Sequence, residues 1–467
     1  MKALNKEILR LALPSILANI TVPIVGMVDV AVAGHIHGNE LLTAAAFIGS
    51  ISVGSMLFDL LYWNFAFLRV CTGGLTAQAL GRGDMKECGK VFARAISLAL
   101  VFALLTLAVQ WPFTKLAFLF VDCSAEVKEL ALKYFFIRVW AAPATLSLMA
   151  FRGWFIGMQD SVSSMMTDLA VNCTNIIASI VLTLGIGGWE GLGFPGIALG
   201  TVIAQYTGLS YAAAKTLLKY RRSVFSCLDS SDIRASFKGK EMRAFMSMNG
   251  DILIRSVCFT AIYIGVTVIS ARYGDLMLAS TAIMMKLLMI FSFFTDGFAY
   301  AGEALTGRFI GEGSLEKTRE AVRYVFYWSM SIVLFFIAGY WFGSTPLLRM
   351  MTSDPDVIIG CRQFLPWLVL MPLIGCPAFT WDGIYLGATA SSGIRNAMVC
   401  ACIAFFGSWF IGIGLFGSLS PLPHDHPSFQ AGAIHVLMAA YFAHLLARAV
   451  VMSVQYRKEV LRRHFNV

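Results

Sequence analysis

Charge is what this chain has least of. Asp, Glu, Lys and Arg make up 13% of its 467 residues, where a soluble domain carries about 25%, so it cannot present an ordinary water-facing surface. Histidine is scarce, and the seven present do not cluster in the apolar segments. The ten cysteines are scattered without a CxxC pair, and Cys400 and Cys402 stand two apart, where a helix turns them in different directions. That argues against a disulfide framework or a cysteine metal site. His424-Asp425-His426 lies in a Pro-rich loop and reads as an exposed polar turn, with a trace-metal site as the alternative. An intramembrane enzyme would need an acid pair for Mg²⁺, a His-Glu metal motif or a nucleophile beside a base. None is present, so neither an enzyme nor a cofactor is expected. Long polar stretches are also missing, save one at 219–243, which leaves no room for a separate soluble catalytic domain.

What the chain has is apolar length. Hydrophobic residues reach 58% and mean hydropathy is +0.73. A bilayer crossing needs about 20 apolar residues. The sequence predicts twelve: 8–33, 43–68, 90–112, 134–158, 163–187 and 194–218, then 245–271, 276–306, 320–343, 361–388, 396–418 and 431–455. The expected fold is an all-α integral membrane protein of two six-helix bundles.

The halves repeat at an offset of 230 residues. Leu75-Thr76 recurs as Leu305-Thr306, Gly81 and Gly83 as Gly311 and Gly313, Trp111 as Trp341 and Val127 as Val357. Gly153 and Gly157 recur as Gly383 and Gly387, all without a gap. An even number of crossings returns the chain to its starting side, so the repeats share one orientation and a pseudo-two-fold axis along the membrane normal. Such duplication is how many transporters enclose a central site. The expected organisation is a lobe at 1–220, a basic, Ser-rich cytoplasmic linker at 221–243 and a second lobe at 244–467.

Basic residues set the orientation. With the N-terminus cytoplasmic, 24 of the 36 Lys and Arg fall at cytoplasmic ends of the spans, six on the opposite side and six within spans. By the positive-inside rule both termini are cytoplasmic. The net charge of +9 then faces anionic inner-leaflet lipid, and no nucleic-acid partner is expected. The first segment contains Asp29 and is too long for a signal peptide.

A charge inside a span costs roughly 2.5–3.5 kcal/mol at a helix centre, so it should face protein or water. The acids are Asp29, Asp59, Asp168, Asp251, Asp296, Glu303 and Asp382; the bases are Arg69, Arg138, Arg152, Arg255, Lys286 and Arg448. Asp251 and Arg255, four apart with the acid first, suit a helical pair. Asp296 and Glu303, seven apart, share a face. Arg152 and Asp382 occupy equivalent positions of the repeat. That suggests a pair across the lobes, the alternative being a partner for each within its own lobe. Asp29 stands alone. Its span carries Pro14 and Pro23 as candidate hinges, no base lies within a turn of it, and position 259 of the repeat is Phe. A lone carboxyl on a bendable helix suits taking and releasing a proton.

The run Ala12-Leu13-Pro14, Pro23, Val28-Asp29 and Gly34-His35 resembles the first span of the multidrug and toxic compound extrusion (MATE) family, in its DinF-like branch. So do Phe67-Leu68-Arg69 with Thr72 through Ala79, Gly81-Arg82-Gly83-Asp84, Gly153-Trp154, Asp296 through Glu303, and Asp382-Gly383-Ile384 with Gly387. The likeness covers nearly the whole chain.

It implies alternating-access export of small amphipathic, often cationic, compounds from a bacterial cytoplasmic (inner) membrane, against inward H⁺ or Na⁺, by a monomer. Asp29 matches the family's coupling acid. In the fifth span Asn172 and Asn175 are present, but Ser179 stands where a second acid is expected; Thr201 matches the polar residue of the sixth. Asp382 resembles the Na⁺-coupled branch, yet that branch's span-seven Glu is missing and Arg255 lies nearby. A fixed positive charge opposes a cation, so the expected partner is the proton. The alternatives are a Na⁺-coupled antiporter and a lipid-linked oligosaccharide flippase of the same superfamily.

Overall fold

The computed structural model describes residues 2–36, 44–119, 121, 123–237, 239–352, 354–419, 423 and 426–465. Those residues form helices and no strand. In chain order they are α1 (Lys2–Gly34), α2 (Ala44–Trp63), α3 (Phe67–Gly81), α4 (Met85–Ala117), α5 (Ala125–Arg138), α6 (Ala142–Gly157), α7 (Ser161–Leu184) and α8 (Pro195–Tyr220). Then follow α9 (Ser230–Ser236), α10 (Lys240–Ala271), α11 (Asp275–Gly311), α12 (Leu315–Met351), α13 (Pro355–Gln363), α14 (Leu365–Gly387), α15 (Ser391–Leu419) and α16 (Pro427–Tyr456). Counting α2–α3 and α5–α6 each as one continuous crossing, eleven helices among the described residues are long and apolar enough to span a membrane. The twelfth expected crossing is α8, which carries Thr201, Gln205, Thr207, Ser210 and Lys215 and is correspondingly more polar. The crossings at spans four and ten are each split. Pro143 follows the 3₁₀ turn Val139–Ala141, and Pro366 follows the break at Phe364; a proline supplies no N–H and starts a helix better than it continues one.

The helices form two compact units, Leu17–Asn249 and Met1–Ile16 with Gly250–Val467. This differs from the expected boundary at 220/244 in two places. The first turns of α1 pack with the C-terminal unit: Glu7 pairs with Arg308 at 2.7 Å, Asn5 accepts from Trp328 at 3.2 Å, and Gly297 lies against Ala12 and Ile16. Residues 221–243 are no loose linker either. Leu228 and Val224 sit over Gly89 of α4, and Lys86 pairs with Asp232 at 2.7 Å. Buried Arg94 of α4 donates to the Ser236 carbonyl (3.0 Å), Glu87 (2.9 Å) and Glu241 (2.5 Å), which pins α9 and the start of α10 to the N-terminal unit.

The 230-residue repeat is built from backbone contacts. A Cβ on Gly153 would lie 2.9 Å from the carbonyl carbon of Arg69, and one on Gly383 would lie 2.6 Å from that of Ala299. One turn on, Gly157 faces the Gly73 carbonyl and Gly387 the Glu303 carbonyl. Arg69 and Ala299 are 230 apart, as are Gly73 and Glu303, so α6 on α3 and α14 on α11 are one packing unit used twice. Their exits match too. Gln159 (φ 57°) and Thr389 (φ 53°) both adopt the left-handed conformation, as do Gly83 (φ 73°) and Gly313 (φ 72°). Asp84 and Ser314 then cap α4 and α12, each accepting from the backbone N–H three residues on. The α6–α7 turn carries its own anchor. Asp160 caps α7 and accepts from Lys219 (2.7 Å) and Tyr220 (2.8 Å) of α8. Burial works against its charge, yet Lys219, Ser163 and Tyr220 together hold the Asp160 carboxyl below the usual carboxylate range.

Candidate functional site

In the N-terminal unit, a stripe of small residues on α8 (Gly196, Gly200, Ala204 and Gly208) lets that helix lie close against α7. A Cβ on Gly200 would come within 2.7 Å of the Ser179 backbone nitrogen, and one on Gly196 within 2.6 Å of the Leu182 carbonyl oxygen. The close approach aligns the polar face of α7, where Asn172, Asn175 and Ser179 follow at helical spacing. Asn175 donates to Thr201 at 3.0 Å, and Thr201 donates to the Ile197 carbonyl at 3.2 Å. Asn172 donates to Thr21 of α1 at 2.5 Å. Asn175, Ser179 and Thr201 are all buried.

Asp29 lies a little over two turns along α1 from Thr21. It is 8% exposed although the stretch Val22–Met27 just before it is largely open. The Ser179 hydroxyl lies near its carboxyl without completing a hydrogen bond, and the Arg138 guanidinium acts on it through space. Arg138, at the end of α5, stacks over the rings of Phe58 (4.6 Å) and Tyr134 (5.5 Å) and donates to the Tyr134 hydroxyl at 2.7 Å. The sequence shows no base near Asp29 because this one comes from another helix. Among the described residues, the Asp29 Oδ1, Asn175 Oδ1, Ser179 Oγ and Thr183 Oγ1 atoms are buried without a hydrogen bond. Orphaned buried polar atoms are rare in folded proteins, and these four, on Asp29 and along α7, are suited to water, a proton or a polar ligand. Helix α1 runs unbroken through Pro14 and Pro23, and the division between the compact units falls between them.

In the C-terminal unit, Asp382 of α14 accepts from both Arg255 of α10 and Arg448 of α16. This corrects one expectation. Asp251 does not pair with Arg255: it accepts from Arg395 at 2.6 Å and from Ser391 at 2.8 Å, both on α15. Residues four apart on a helix share only a broad face, and packing has given these two different neighbours. For Arg152 and Asp382 the within-lobe alternative holds: Arg152 meets Asp168 of α7 at 2.5 Å. Each finds its partner inside its own unit. Glu303 is fully buried on α11 beneath Gly387 while Asp296 is half-buried, and Arg69 offers its carbonyl to Gly153. His424 and Asp425 lie outside the described residues; His426 caps α16. The described residues hold no group of three or more potential metal ligands.

Comparison with known proteins places this architecture. The MatE family model matches residues 14–181 and 252–413, one stretch in each half. DNA damage-inducible protein F of Escherichia coli K12 is 31% identical over 407 residues, covering 86% of this chain and 84% of its own. Protein DETOXIFICATION 44, chloroplastic, of Arabidopsis thaliana is 23% identical over 87% of this chain and 76% of its own. In fold, the chain is similar to the eukaryotic MATE transporter AtDTX14, with TM-score 0.80 and 13% identity over 99% and 98% of the two chains. It is similar also to an outward-facing multidrug resistance transporter of the family, with TM-score 0.80 and 16% identity over 98% and 96%. With both halves matched in order and a relative alike over most of its length, the chain is a multi-pass membrane protein belonging to the MatE family of multidrug and toxic compound extrusion transporters.

Proposed function

We propose that this protein exports amphipathic, cationic organic compounds in exchange for protons, with Asp29 as the group that carries the proton. The observation behind this is the buried Asp29 carboxyl, one oxygen unpartnered, at the seam of α1 and α7. A protonated carboxyl tolerates a dry site, whereas an ionised one calls for donors, water or a counter-charge. Arg138 offers the counter-charge through space, and the nearby Ser179 hydroxyl is a donor with no other partner. Proton loss therefore changes what α1 must hold against, and α1 contains two prolines and contributes to both compact units. Asn172, Asn175, Ser179 and Thr201 form the polar wall beside it, with Pro14 and Pro23 as the hinges.

Protons are preferred to Na⁺ on the chemistry of the donors. A hard cation favours several anionic oxygens. The α7 seam offers one carboxylate with Ser179 in the second place, and Asp382 is already held by two guanidiniums. On this reading both termini face the cytoplasm of a bacterial inner membrane and one chain suffices. In inside-out vesicles, a pH gradient imposed without Na⁺ is expected to drive accumulation of tetraphenylphosphonium, an amphipathic cation. A Na⁺ gradient at clamped pH is expected to drive almost none. Substantial Na⁺-driven uptake would overturn proton coupling and direct attention to Asp382.

A further inference from the structure

In the C-terminal unit two arginines share one carboxylate. Arg255 and Arg448 both bond the same oxygen of Asp382, its Oδ2. The nearby carboxylate of Asp251 is committed to Arg395 and Ser391. By contrast, Arg152 and Asp168 of the N-terminal unit pair one to one. Two cations on one anion leave an excess positive charge, which is costly to bury unless something compensates it.

The hydrogen bonds of the cluster are incomplete too. The Nε–H groups of both arginines are buried without a hydrogen bond, as is the Oδ1 atom of Asp382, which neither of them reaches. Arg448 lies with one face over the Phe379 ring at 5.5 Å, so its remaining capacity is at the guanidinium edge. That edge, with Nε–H and an Nη–H side by side, matches an oxyanion with two or three oxygens. The two arginines differ in access: the Arg448 side chain is 2% exposed and that of Arg255 20%. Arg255 is the open side of the cluster. The repeat does not reproduce it, because position 25 is Val and position 152 is Arg.

We propose that Arg255 and Arg448 form an anion subsite, taking the sulfonate, phosphate or carboxylate group of an amphipathic compound on the N–H groups that Asp382 leaves unused. Arg448 is the fixed floor, oriented by Asp382 and Phe379, and Arg255 is the arm that meets the incoming anion. Combined with the export reading, on which its physiological role rests, the subsite narrows the substrate class. The compounds would carry an acidic group beside their cationic centre.

The test is binding rather than transport, so the subsite and the export reading can fail separately. Two pyrene probes with permanent charges serve, a quaternary ammonium and its sulfobetaine analogue, which differ by a propylsulfonate arm. Their affinities for the full chain are measured in phosphatidylcholine nanodiscs by energy transfer from tryptophan. The sulfobetaine is expected to bind about tenfold tighter, the gain of a charge-assisted hydrogen bond or two. Arg255→Gln leaves Arg448 and Asp382 as a balanced pair and should fold. It is expected to erase that preference while leaving the affinity for the quaternary ammonium unchanged. Equal affinities in the wild type, or an undiminished preference in Arg255→Gln, would mean that the cluster is structural only. A wild type that prefers the sulfobetaine but transports neither probe under a pH gradient keeps the subsite and removes the export reading.

Discussion

Asp29→Asn is expected to abolish transport driven by a pH gradient, by about 100-fold or more, the scale of losing an essential proton-transfer group, while the protein still folds and inserts. Asn keeps the shape and polarity of the side chain but cannot titrate. Folding should survive because Asp29 has no ion pair in hydrogen-bonding contact to lose, and Arg138 keeps its bond to Tyr134 and its stacking on Phe58. Asp29→Glu, which titrates from a side chain one methylene longer, should retain part of the activity. Reconstituted vesicles with an imposed gradient, checked for equal protein content and melting temperature, provide the measurement. Near-normal gradient-driven flux through Asp29→Asn would remove the proton from this site.

The largest expected structural effect is at Gly383. A Cβ there would stand 2.6 Å from the Ala299 carbonyl carbon and 2.7 Å from its Cα, and backbone of α11 cannot step aside as a flexible side chain can. Gly383→Val should cost about 3 kcal/mol or more through overpacking and show as a collapse in monodisperse protein after detergent extraction. Gly153→Val should do the same in the N-terminal unit, where Arg69 takes the place of Ala299. Gly339 is exposed on α12 with nothing near its Cβ position, so Gly339→Val should be extracted like the wild type. If Gly383→Val matched that control, the close approach of α14 to α11 would not be what the repeated glycines maintain.

These glycines explain why the duplication is legible at all. Apolar side chains facing lipid interchange freely, and the equivalents of most span residues have drifted. Gly153 and Gly383 have not, because each meets backbone. Crossing positions were equally readable, since length and hydropathy suffice to define them. Partners across helices were not. Arg138 and Arg448 stand in the sequence as isolated bases, and only the packing of α5 beside α1 and of α16 beside α14 gives them Asp29 and Asp382. The helical spacing of Asp251 and Arg255 misleads for the same reason: a four-residue interval describes an isolated helix, whereas α10 is packed against α14 and α15, each offering a better-placed partner. Nor could composition reveal that residues 1–16 pack with the second half, because that depends on Glu7 and Asn5 reaching Arg308 and Trp328.

If substrate and proton exchange at Asp29, binding alone should release the proton, with no gradient or vesicle needed. Tetraphenylphosphonium is added to the purified protein in weakly buffered detergent solution, and the pH change is converted to protons released per cation bound. The wild type is expected to release up to about one proton, as linkage between binding and a single carboxyl requires, and Asp29→Asn none, although it still binds. Equal release from the two proteins, or binding to the wild type with no release at any pH, would rule out exchange at Asp29.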